Sequence, residues 1–105
     1  MSAPVPDDLI HQALRLRIMS GLHAARGGDP IAFTRLKALT GATDGNLGSH
    51  LTTLEKAGYL RVDKEFAGKR PQTLVSITRA GEKAFRQHLE FLRDVIDGAD
   101  DPPPR

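Results

Sequence analysis

The chain has 105 residues, a net charge of +2 and 39% apolar side chains, which fits one domain with a modest core. It contains no cysteine, which excludes disulfides, thiolate metal sites and thiol redox switching. No stretch approaches the ~20 consecutive apolar residues of a membrane span.

The opening run Met1-Ser2-Ala3-Pro4-Val5-Pro6 has neither the basic nor the apolar region of a signal peptide, so a cytoplasmic protein is expected. Charge is unevenly spread along the chain. Residues 1–30 hold three Arg and three Asp, residues 31–79 hold eight Lys/Arg against four Asp/Glu, and residues 80–105 hold four against six. The surplus sits mid-chain, which is one signature of a surface for a polyanion.

Residues 1–6 carry two prolines and nothing to pack, so a disordered N-terminus is expected ahead of a domain spanning residues 7–97. Asp7 or Asp8 can cap a first helix, where a carboxylate meets free N–H groups and the positive dipole end. From Leu9 to about Ala25, Ile10, Leu14, Ile18, Leu22 and Ala25 recur every three or four residues. Leu9, Ala13, Leu16 and Met19 widen that stripe, so the helix has enough apolar surface for two partners, its own domain and another chain. Gly27-Gly28-Asp29-Pro30 ends it.

A short second helix follows, Phe33 to Thr40, with Phe33, Leu36 and Leu39 marking its buried face and Gly41 its stop. Ile31, just before it, can add to a small sheet. The third helix has Thr43 as N-cap and Gly58 as C′ residue. Leu47, Leu51 and Leu54 form a narrow core stripe, while Asn46, Ser49, His50, Thr52, Thr53 and Lys56 make a polar face.

Tyr59–Phe66 and Thr73–Thr78 are rich in strand formers with apolar–polar alternation. The connection Ala67-Gly68-Lys69-Arg70-Pro71-Gln72 places two adjacent bases at the tip of a hairpin. Thr78 then caps a last helix, from Arg79 to Asp97, in which Phe85, Leu89, Leu92 and Ile96 repeat at 4-3-4 spacing like a short coiled-coil seam. Gly98 is expected to end it, leaving residues 98–105, with two Asp and three Pro, as a disordered acidic tail.

The order helix, short helix, helix, hairpin, helix predicts a mainly α protein with a small β-hairpin wing (α+β), a winged helix-turn-helix with a C-terminal dimerisation helix. The run from Gly45 to Leu60 resembles the recognition helix and following strand of bacterial and archaeal winged-helix transcriptional regulators related to the MarR and ArsR groups. Leu14-Arg15-Leu16-Arg17-Ile18-Met19, Pro71-Gln72-Thr73 and Ile77-Thr78-Arg79-Ala80-Gly81 extend the resemblance over about residues 8 to 96. It implies a homodimer built from the first and last helices, with Ile10, Leu14, Phe85, Leu89, Leu92 and Ile96 at the interface. It also implies that the third helix enters the major groove of double-stranded DNA while the wing touches backbone or minor groove.

Asn46, Ser49 and Thr53 suit base edges or phosphates, and the helix N-terminus at Thr43 suits a phosphate. The same residues also describe an ordinary solvated face. His50 fits either a phosphate contact or a half-buried packing role. Lys56, Lys64, Lys69 and Arg70 would neutralise phosphates without reading sequence.

One feature departs from the family pattern, and a second works against DNA binding. Gly48 and Ser49 stand where relatives often carry Ser then Arg or Lys, and Asp44 brings a negative charge to the recognition helix. Gly48 costs ~1 kcal/mol against Ala inside a helix, for which close backbone approach to the second helix or to DNA would be a reason and drift an equal alternative.

No Gly-rich phosphate loop, paired carboxylates or nucleophile–base pair stands out, so no enzyme activity is expected. His11, His23, His50 and the His88/Glu90 pair form no evident ligand set, so neither a metal nor another cofactor is expected. The sequence predicts a dimeric, sequence-specific DNA-binding regulator, a repressor by family habit, with room for a small-molecule effector at the dimer interface or between wing and core. A winged-helix protein-interaction module and a non-specific architectural DNA binder are the alternatives.

Overall fold

The computed structural model describes Ile10 and residues 12–100. The expected disorder of residues 1–6, the cap at Asp7 or Asp8, and residues 101–105 of the acidic tail lie outside the described residues. Helix α1 spans Ala13–Ala24, starting later than the apolar spacing predicts. Gln12 has extended backbone (φ −68°, ψ 137°), so Ile10 reaches the core from ahead of the helix and is fully buried there. A 3₁₀ turn at Arg26–Gly28, with Gly27 at φ 60°, leads into strand β1, Ile31–Ala32.

Helix α2, Phe33–Thr40, ends at Gly41 with φ 70°, a left-handed stop that a glycine adopts without a Cβ penalty. Its buried line is Leu36 and Thr40, whose hydroxyl donates to the Leu36 carbonyl at 2.7 Å. Leu39 was expected on that face and is instead 52% exposed. The i, i+4 pair defines the buried line, so the residue between its members falls at the margin, beside Gly21.

Helix α3 spans Asp44–Lys56, with Thr43 accepting from the Asn46 N–H and with Leu47, Leu51 and Leu54 buried. Strands β2, Leu60–Ala67, and β3, Arg70–Ile77, pair antiparallel from Leu60↔Ile77 to Ala67↔Arg70. Strand β1 joins the other edge of β3 through Ile31↔Val75 and Ala32↔Leu74, giving the order β1-β3-β2.

The wing turn is tighter than its sequence predicts, because only Gly68 and Lys69 lie between the paired residues. Gly68 takes φ 66° while Lys69 does not enter the positive region, which is the pattern of a type II′ hairpin with glycine first. Arg70 is therefore a strand residue. Pro71 sits in the ladder opposite Phe66, where β3 has a neighbour on one side only and a proline is tolerated.

Helix α4 spans Arg79–Asp100. Thr78 caps it by accepting the Gly81 N–H at 3.0 Å, and its hydroxyl donates to the Gly58 carbonyl at 2.6 Å. The Thr78 N–H also donates to the Tyr59 carbonyl at 3.0 Å. This clasp fixes the start of α4 against the end of α3. A Cβ at Gly81 would run into the Tyr59 carbonyl oxygen, so the close approach requires glycine. The helix was expected to stop at Asp97 but continues through Gly98 to Asp100. Gly98 is not among the glycines with positive φ, and a helical glycine costs only ~1 kcal/mol, which does not by itself end a helix.

The core lies where α1, α2 and α3 meet the sheet and the first half of α4. Ile18, Met19, Leu22, Leu36, Leu47, Leu54, Leu60, Val75 and Phe85 are buried in it. No described helix is long and apolar enough to cross a membrane.

Candidate nucleic-acid interface

The leucine stripe buries one side of α3 and so fixes which side faces outward. Asn46, Ser49 and Thr53, at i, i+3 and i+7, share one stripe on the uncovered side, with Asn46 and Ser49 exposed and Thr53 half-buried. Their hydrogen-bonding capacity is partly spent. Thr53 donates its hydroxyl to the Ser49 carbonyl at 3.2 Å, and Thr43 accepts from the Asn46 N–H at 3.2 Å. The Thr43 hydroxyl keeps its own proton to donate, Thr53 keeps acceptor lone pairs, and the Asn46 amide offers both functions. Lys56 is exposed at the far end of the helix.

Asp44 does not present a bare charge beside this stripe. Lys37 of α2 lies 2.8 Å from its carboxylate, and the position in the first helical turn suits an anion. Gly48 has open space where a Cβ would stand. Close packing against α2 therefore does not account for it.

His50 is half-buried, and its Nδ1 accepts a hydrogen bond from Arg15 Nε of α1 at 3.0 Å. Burial, followed by the Arg15 charge, lowers its pKa below the ordinary value of 6.5. The imidazole is thus neutral at pH 7 with its proton on Nε2. That favours the packing role over a cationic phosphate contact. Arg15 and Lys37 carry no local sequence signal for these roles, because each partner lies on another helix.

On the wing, Lys64, Lys69 and Arg70 are all exposed, with Lys69 at the turn and Arg70 opposite Ala67. Arg61 is held by Asp63, with Nε 3.1 Å from the carboxylate.

The six residues expected at a dimer interface separate into two groups. Ile10 and Phe85 are buried in the chain's own core, and Leu14 and Leu89 pack against it. Leu92 is half-buried, while Ile96 is 63% and its neighbour Val95 52% exposed. The seam on α4 therefore serves this chain in its first half and leaves an apolar surface open in its second.

Residues 14–96 match the family model of the winged helix DNA-binding domain. The chain belongs to that family. A transcriptional regulator homologue from Pyrococcus horikoshii OT3 is 33% identical, with a TM-score of 0.78 and 89% of each chain covered. An uncharacterized protein of Methanocaldococcus jannaschii is 31% identical over 81 residues, 77% of this chain and 85% of that one. NadR, solved in complex with 4-hydroxyphenylacetate, shares the fold with a TM-score of 0.68 at 21% identity, over 88% of this chain and 65% of NadR. Within the winged-helix frame α2 and α3 are the helix-turn-helix, β2 and β3 are the wing, and α4 is the C-terminal helix.

Proposed function

We propose that the protein is a homodimeric transcriptional repressor that reads a pseudo-palindromic operator with α3 and neutralises flanking phosphates with its wing. The observation that carries this reading is the exposed Asn46–Ser49–Thr53 stripe on a capped helix-turn-helix, in a chain whose wing presents Lys64, Lys69 and Arg70. The open apolar surface of α4 at Val95 and Ile96 supports a second copy as its cover, and a two-fold protein matches a two-fold site.

The reading includes a small-molecule effector. A cleft of about 670 Å³ lies between the end of α1, the 3₁₀ turn and the first turns of α4. This is neither of the two places expected from the sequence. Glu82 in its lining already holds His23 at 2.9 Å and Arg86 at 3.7 Å, and Arg79 and Lys83 beside them supply the positive charge that suits an anionic ligand.

Fluorescence anisotropy with DNA from immediately upstream of the coding region, against a scrambled duplex of equal length at two salt concentrations, tests the core of the reading. Tighter, salt-sensitive binding to the native fragment is expected. Equal binding to both duplexes removes the specific operator, and no binding at low salt removes DNA as the partner.

A further inference from the structure

We propose that Phe66 is the wing's apolar contact with DNA and enters the minor groove between the hairpin's cations. The proposal deepens the DNA-binding reading and rests on it.

Phe66 is 75% exposed, the most exposed of the large hydrophobic side chains among the described residues. Strand alternation puts it on one face of the hairpin with Leu60, Val62 and Lys64, and the register adds Pro71, Thr73, Val75 and Ile77 from β3. Leu60 and Val75 of that face are buried in the core, with Val62 and Ile77 packed against it. Further along, the same face leaves the core behind and ends at Phe66 and Pro71. It is the core-facing side of the sheet extended past the end of the core.

Charge identifies the cover. Asp63 and Glu65 have the opposite parity and lie on the other face of β2, where Arg61 already holds Asp63. The face around Phe66 carries Lys64 and no carboxylate, with Lys69 at the adjoining turn, whereas Arg70, paired with Ala67, lies on the other face with Asp63 and Glu65. A shallow cleft of about 210 Å³ lined by Ala32, Phe33, Thr34, Pro71, Gln72 and Thr73 lies between β3 and the start of α2. An aromatic ring flanked by Lys64 and Lys69, on a hairpin face without a carboxylate, fits a polyanion that also offers apolar walls. The minor groove has phosphates at its rim and sugars along its sides, and minor-groove proteins commonly insert apolar side chains there.

The test uses the full chain with an A·T-rich and a G·C-rich duplex at two salt concentrations. Phe66→Ala is expected to weaken binding to the A·T-rich duplex about tenfold or more, the loss expected for uncovering a buried Phe, with an unchanged salt slope because no charge is removed. Phe66→Leu should keep most of the affinity. Replacing guanine by inosine deletes the minor-groove amino group, and should raise wild-type affinity for the G·C-rich duplex while leaving Phe66→Ala unaffected.

Equal binding by wild type and Phe66→Ala overturns the proposal. So does a change in the sedimentation of the DNA-free protein on Phe66→Ala, which would assign the ring to a contact between copies. Failure of the wild type to bind either duplex would instead bring down the DNA-binding reading itself. Urea unfolding of Phe66→Ala should match the wild type, since the ring is exposed.

Discussion

Arg15 Nε donates to His50 Nδ1 across 3.0 Å and so ties α1 to the recognition helix. The bond requires a neutral imidazole, because a protonated ring has no acceptor to offer. Burial and the Arg15 charge both lower the His50 pKa below 6.5. The unfolded chain then takes up a proton at a higher pH than the native one does. The associated stability is complete above about pH 6.5 and is lost as pH falls toward the lowered native value. NMR titration of the His50 ring should give a midpoint below 6.5, moving upward in Arg15→Gln. A native midpoint at or above 6.5 would show that the bond does not form in solution.

Two glycines should answer an alanine in opposite directions. At Gly81 the new Cβ meets the Tyr59 backbone carbonyl, and backbone held by the Thr78 clasp cannot turn aside as a side-chain tip can. Gly81→Ala should cost about 1–3 kcal/mol, as overpacking does, measured by urea unfolding. Loss of less than ~0.5 kcal/mol would mean that the clasp yields easily.

Gly48→Ala, with open space around its Cβ position, should stabilise the protein by up to ~1 kcal/mol through helix propensity. The same variant separates the remaining explanations for this glycine. Weaker DNA binding by a more stable protein would assign Gly48 to a close approach by the nucleic acid. Unchanged binding would leave it without a functional reason.

The elements legible in the sequence are those whose causes are local. Thr43, Gly41 and Gly58 mark helix ends by their own backbone and capping preferences, and the leucine spacing of α3 names its buried side. Leu39, Pro71 and Gly98 misled for a related reason. Each follows a local rule, and the outcome was set by neighbours: the i, i+4 line through Thr40, the one-sided edge of β3, and the continuation of α4.

The candidate site was legible in its exposed residues and not in its connections. Arg15–His50 and Lys37–Asp44 each join two helices, and no spacing within one helix announces them. Division of the α4 seam between core and surface depends on where the body of the domain ends, which the 4-3-4 repeat does not encode.

Phosphate contacts and base contacts should separate by salt. Lys69→Ala and Arg70→Ala should each weaken binding to native and scrambled duplexes alike and reduce the salt slope by about one. Asn46→Ala and Ser49→Ala should leave the slope nearly unchanged and alter the preference between the duplexes, by about 1–3 kcal/mol where a bidentate contact is lost. Anisotropy at several salt concentrations reads both quantities. If none of the four variants changes binding, the face assigned to DNA is the wrong one.

Val95 and Ile96 carry the remaining prediction, since they are the exposed end of the α4 seam. The double variant Val95→Glu, Ile96→Glu places two like charges where a second copy would pack, and leaves the buried half of the helix at Ala84 and Phe85 untouched. Sedimentation should therefore show the variant as a folded monomer under conditions in which the wild type is a dimer. Its affinity for the upstream fragment should fall further than its affinity for a scrambled duplex, because a lone recognition helix loses the second half-site and keeps its phosphate contacts. An unchanged dimer would place the interface elsewhere on the chain. An unfolded variant would mean that these two side chains support the monomer, and circular dichroism distinguishes that case. Truncation after Gly81 removes Ala84 and Phe85 from the core along with the open surface, and should abolish folding altogether, which makes the double variant the discriminating experiment.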